Sequence, residues 1–107
     1  MASARADFNA RVSHERRSRI ETLRGRPPIE LRALPSLSTE KTEVLGKLIT
    51  FTTYAEVQKD GRLLILVRSD EQRLLGMVSY GATDGFWVLP DGSIAEASDK
   101  DVLEYFG

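Results

Sequence analysis

The chain of 107 residues contains no cysteine. That excludes disulfide staples, thiol nucleophiles and thiolate metal sites, and it fits a reducing compartment, so a cytoplasmic location is expected. There is one histidine and one tryptophan. Long apolar runs are also missing. The longest, Leu63–Val67, falls far short of the roughly 20 residues a membrane-spanning helix needs, so no membrane partner is expected. Residues 1–7 hold no apolar stretch, which argues against a secretory signal. Prolines number four, and three of them, Pro27, Pro28 and Pro35, fall close together.

What remains is the composition of one soluble globular domain. The chain is 41% hydrophobic and 29% charged, too apolar for a disordered segment and long enough for a single modest core. The net charge of −1 conceals an asymmetry. Residues 1–32 carry eight arginines against four acids, and residues 60–107 carry four cations against nine acids. A basic half of this kind seeks phosphate, a protein partner, or the chain's own acidic half.

Residues 1–26 read as an Arg-rich helical arm, with helix over 4–24. Phe8, Val12, Ile20 and Leu23 fall within about 120° on a helical wheel. Ser13 is placed to cap a second helix, which leaves a break near residue 13 as an alternative. Gly25 suits the helix end, and Pro27 and Pro28 forbid its continuation. The apolar stripe has a flaw: Arg5, Arg16 and Arg19 lie inside the same arc. A helix facing only a core rarely carries guanidiniums there, although long Arg stems can cover apolar surface.

Residues 27–37 read as an extended connector, because proline restricts its predecessor to extended geometry. Residues 38–107 read as a strand-rich body. Ser38 or Thr39 is placed to cap a helix running through Val44, Leu45, Leu48 and Ile49. The β-branched and aromatic run from Thr50 to Tyr54 then predicts a strand. Lys59-Asp60-Gly61 signals a hairpin leading into 62–68, whose continuous apolar centre suits a strand buried on both faces. Residues 69–72 read as a turn, 74–80 as a strand and 81–85 as a loop. Residues 86–89 and 93–97 form a last hairpin around Pro90-Asp91-Gly92. Ser98 with Asp101 resembles a capping box that launches a short helix. The expected fold is α+β: an N-terminal helix, then a meander sheet or SH3-like barrel of about five strands, then a short C-terminal helix.

Chemistry-bearing patterns are sparse. His14 has Ser13 and Ser18 on its own helix but neither an orienting acid nor an oxyanion site, so a solvated role is expected. Asp84, Asp91, Glu96, Asp99, Asp101 and Glu104 lack the spacing of a calcium loop and read as caps and solvated surface. Gly81–Gly85 lacks the lysine and following helix of a phosphate-binding loop. No catalytic residue, metal or cofactor is therefore expected. Tyr80 and Trp87 border the 81–85 loop and are candidate binding anchors. Phe86 and Trp87 point to opposite faces of a strand, so both can be core only where the sheet is covered on both sides.

The sequence thus points to a small non-catalytic interaction module acting by occupancy, as an inhibitor, immunity, adaptor or regulatory protein. Phe8, Val12, Arg16, Arg19, Ile20 and Leu23 are the expected contact for a protein partner or a homodimer. Tyr80 and Trp87 supply a second patch. Nucleic-acid binding through the Arg-rich helix is the alternative, and a carboxylate-based enzyme is a more distant one.

Overall fold

A computed structural model describes residues 4–71 and 81–106. Helix α1 spans Ala4–Arg24, and the short helix α2 spans Pro28–Arg32. Strands β1 (Leu37–Val44), β2 (Lys47–Val57), β3 (Leu63–Glu71), β4 (Ala82–Val88) and β5 (Ile94–Glu96) follow, and helix α3 (Asp99–Phe106) closes the chain. The strands form one open antiparallel sheet in the order β1-β2-β3-β4-β5. The fold is α+β, and the meander stays open instead of curling into a barrel.

Helices α1 and α3 cover opposite faces of this sheet. On one side, Phe8, Ile20 and Leu23 of α1 pack onto Ile49, Phe51, Ile65, Val67, Phe86 and Val88. On the other, Val102 and Tyr105 of α3 pack onto Leu64, Leu66 and Trp87. Strand side chains alternate between faces, so Phe86 and Trp87 serve different cores. This two-sided cover explains why Leu63–Val67 is uniformly apolar and fully buried.

Several local expectations need correction. Pro28–Arg32 is helical, not extended: Pro27 stays extended before it, and Pro28 occupies the first helical turn, where its missing N–H costs nothing. Buried Leu31 plugs the core, while the Arg32 guanidinium donates to the carbonyls of Gly61 and Leu89 in the two Gly-containing turns. Residues 38–49 form a β-hairpin, not a helix. Val44 and Ile49 face the core, whereas Leu45 and Leu48 are exposed, so their spacing mimics a helix without being one. The expected turn at 69–72 and loop at 81–85 are largely strand. Ser69–Glu71 end β3, where Asp70 and Glu71 pair with Thr50 and Ile49 of β2, and Ala82–Gly85 begin β4, running antiparallel from Ser69 back to Leu66 of β3. The strand expected over 74–80 lies outside the described residues.

The β1–β2 turn contains Leu45 and Gly46, both with positive φ (47° and 81°). This is the tight two-residue turn whose twist matches the flanking strands, and it favours Asn-Gly. A leucine in the left-handed region is strained by about 1 kcal/mol. Its side chain is exposed and contributes little packing in return. Leu45→Asn is therefore expected to stabilise the fold by roughly 0.5–1 kcal/mol. Chemical denaturation should show a higher midpoint with an unchanged slope.

Candidate functional site

The helix α1 carries the residues singled out by sequence, and the structure turns most of them inward. Phe8, Ile20 and Leu23 are core, Val12 is partly buried, and Arg16 is only 7% exposed. These side chains are not presented as a free contact surface. Trp87 is also largely buried, in the opposite core. Tyr80 lies outside the described residues.

The three arginines inside the apolar arc each meet an acid on the sheet. Arg5 donates from Nη2 to Glu71 Oε2 at 2.8 Å, and Lys47 reaches the other oxygen of Glu71 at 3.3 Å. Both cations also lie against the Phe8 ring. Arg16 donates from Nε to Asp84 Oδ2 at 2.7 Å and from Nη1 to Ser69 Oγ at 3.0 Å. Arg19 stacks on Phe51, its Cζ 3.8 Å from the ring centre, and donates to Glu40 at 2.8 Å and Thr42 at 3.0 Å. Further along, Arg24 pairs with Glu96. The stems cover apolar surface and the heads find carboxylates, which offsets part of the desolvation cost of placing them there, although the Nε atoms of Arg19 and Arg24 are buried without a hydrogen-bond partner among the described residues.

Sequence reasoning missed the sheet side of this arrangement: Glu40, Thr42, Ser69, Glu71 and Asp84. The signal was the charge asymmetry between the halves, which admitted self-pairing as one reading. The individual partners required the strand register and could not be read from spacing.

The acids have structural uses instead of converging on one point. Asp84 holds Arg16, Glu96 pairs with Arg24, and Asp91 accepts from the hydroxyl and N–H of Ser93 in the last turn. Asp101 completes the capping box: the Ser98 N–H donates to Oδ2 at 2.9 Å, and the Asp101 N–H donates to Ser98 Oγ at 3.1 Å. Its carboxylate also accepts from Trp87 Nε1 at 3.0 Å, fastening α3 to the sheet. His14 is exposed. The described residues contain no grouping of three or more His, Asp or Glu side chains suited to a metal ion.

Titration behaviour follows from these partners. The Arg5 hydrogen bond holds Glu71 below the usual carboxylate range, and the Arg19 hydrogen bond does the same for Glu40. Asp101 is lowered by the Ser98 N–H and then by the Trp87 indole. A carboxylate with a depressed folded-state pKa contributes stability above its ordinary pKa and loses it as pH falls through the lowered value. Thermal stability should therefore be nearly flat from about pH 7 to 5 and fall below about pH 4.5. Glu71→Gln should weaken the acid dependence. A curve of unchanged steepness in that variant would show that the Arg5–Glu71 contact is immaterial.

The open feature is at the β1 edge. In the two-residue hairpin, the closing pair Val44–Lys47 exchanges backbone hydrogen bonds, so even-numbered β1 residues bond to β2. The Ala55 N–H donating to the Ser36 carbonyl continues the same parity. Leu37, Thr39, Lys41 and Glu43 therefore direct their backbone N–H and C=O groups outward. No strand among the described residues pairs with that edge. Beside it runs a groove of about 450 Å³ between α1 and the sheet, with Leu23, Leu34 and Phe51 as apolar lining and Arg19 and Arg26 as cations.

No protein family, curated protein or solved structure matches this chain.

Proposed function

We propose that the protein is a small non-catalytic interaction module that receives an extended segment of a protein partner along β1. The observation that carries this reading is the outward-facing backbone of an eight-residue edge strand beside the Arg19/Arg26 groove. An added strand gains main-chain hydrogen bonds from the edge and side-chain selectivity from the groove. Glu40, Lys41 and Glu43 place charges of alternating sign on this strand, which disfavours indiscriminate edge pairing. A partner with complementary charges is favoured. Such a protein acts by occupancy, as an inhibitor, immunity, adaptor or regulatory protein, and a cytoplasmic setting accords with its lack of cysteine.

The downward-held carboxylates support the non-catalytic reading. Glu40, Glu71, Asp91 and Asp101 are held ionised by the donors given above, and Asp60 by the Arg62 N–H, which suits structural pairing better than proton transfer near neutral pH. Nucleic-acid binding through α1 loses its main support, because Arg5, Arg16, Arg19 and Arg24 already pair with carboxylates of the same chain.

Proline substitution tests the edge directly. Thr39→Pro removes an outward N–H and should leave the fold nearly intact, since proline is tolerated at a free edge. Thr42→Pro removes an inward ladder bond and should destabilise by about 3 kcal/mol. Specific partners captured from native lysate should be lost with Thr39→Pro while its circular dichroism is unchanged. Retention of every specific partner by that variant would contradict edge pairing. Sedimentation of both proteins covers the homodimer version, in which the wild type alone exceeds its 12.0 kDa monomer mass.

A further inference from the structure

A cavity of about 200 Å³ opens on the α3 side of the sheet, away from the β1 groove. Leu64 and Trp87 lie in its wall, both almost fully buried, with Tyr105 of α3 as a second aromatic surface. Glu56, Asp101 and Glu104 complete the lining. Asp101 is occupied by the Ser98 N–H and the Trp87 indole. Among the described residues, Glu104 has only the loose contact of exposed Lys100 at 3.9 Å. Glu56 makes no ion pair among the described residues. Burial pushes the Tyr105 hydroxyl above its usual pKa, and the Glu56 charge adds to the effect, which places that carboxylate's field inside the cavity.

The chain itself already sets a cation beside this cavity. The Arg62 guanidinium lies over Trp87, with Cζ 4.4 Å from the ring centre. Its tether is Asp60, at 2.7 Å, and both side chains are substantially exposed. An indole face with carboxylates around it is the combination that attracts a guanidinium, through the ring quadrupole and charge together. Arg62 already lies over the indole, which is only 8% exposed, so an incoming guanidinium competes with it for Trp87, while Glu56 and Glu104 in the cavity wall supply the negative charge.

We propose that this cavity receives an arginine side chain from a basic peptide segment of a partner, stacked beside Trp87 and steered by Glu56 and Glu104, with Arg62 as an internal competitor. This site is independent of the β1 edge, and it survives if edge pairing fails.

Trp87 is the chain's single tryptophan, so its fluorescence reports the site alone. The full chain should be titrated at low salt with a capped tri-arginine peptide, and with the matching citrulline peptide as the uncharged control. A saturable change with arginine and none with citrulline is expected. Glu56→Gln/Glu104→Gln should weaken binding roughly fivefold or more, and Arg62→Gln should tighten it by a similar factor. On wild-type protein, the Trp87 indole N–H resonance should shift along the same titration, a readout that needs no variant. Absence of a saturable change in both wild type and Arg62→Gln would overturn the proposal. Equal responses to arginine and citrulline, or binding indifferent to the two glutamates, would overturn it as well.

Discussion

Gly85→Ala should destabilise the fold by about 3 kcal/mol, lowering the thermal midpoint by roughly 15 °C for a domain of this size. Gly85 lies within β4, opposite Leu66. A methyl group there would sit 2.3 Å from Leu66 Cδ2 and 2.5 Å from the Ile65 carbonyl oxygen. The leucine is fully buried and has little room to rotate. The carbonyl is backbone of the central strand and cannot yield without disturbing the ladder. The substitution must therefore push β4 away from β3, disturbing both cores through Phe86 and Trp87. A change in midpoint of only one or two degrees would contradict so close an approach of β4 to the Ile65 carbonyl and the Leu66 side chain.

Removal of Asp84 should be comparably damaging. Arg16 is nearly enclosed, and its side-chain partners are Asp84 and the Ser69 hydroxyl. Asp84→Ala strands a desolvated guanidinium and should cost about 3 kcal/mol. The reverse change is gentler. In Arg16→Met the apolar stem is kept, and Asp84, whose side chain is 42% exposed, can be hydrated. That variant should lose about 1 kcal/mol. The double variant should then be more stable than Asp84→Ala alone, because the stranded charge is gone. Additive losses in the double-mutant cycle would contradict a direct pair.

These two residues also mark where sequence reasoning stopped. The 81–85 segment, with two glycines and an aspartate, has the composition of a loop. It is strand because Asp84 is needed under Arg16 and Gly85 under Leu66, and both requirements come from tertiary neighbours. Strand β1 was hidden for a similar reason. Its outer residues, Ser38 to Glu43, are polar and mostly exposed, so they carry no β-like apolar alternation. The turn that would have revealed it uses Leu45 where Asn would be the usual signal.

Features governed by local chemistry were legible. The bounds of α1 follow from its periodicity and from Gly25 and the prolines. The Asp-Gly turns, the Ser98/Asp101 capping box and the doubly buried central strand all rest on short-range rules, and each is present. The three arginines inside the apolar arc of α1 were legible as an anomaly. Their assignment was not, since it depended on where Glu71, Asp84 and Glu40 arrive in space. The anomaly marks a helix clamped to its own sheet, which moves the proposed contact from α1 to the open edge of β1 beside it.

Residue-resolved amide hydrogen exchange on the dilute protein tests that relocation most directly. Within β1, the amides of Ser38, Glu40, Thr42 and Val44 should be protected, and those of Thr39, Lys41 and Glu43 should exchange quickly. Alternation of this kind, lost at Thr39, Lys41 and Glu43 once the partner is added, is the result expected for an edge that receives a strand. Fast exchange in the free protein that persists unchanged in the presence of saturating partner would contradict the proposed function.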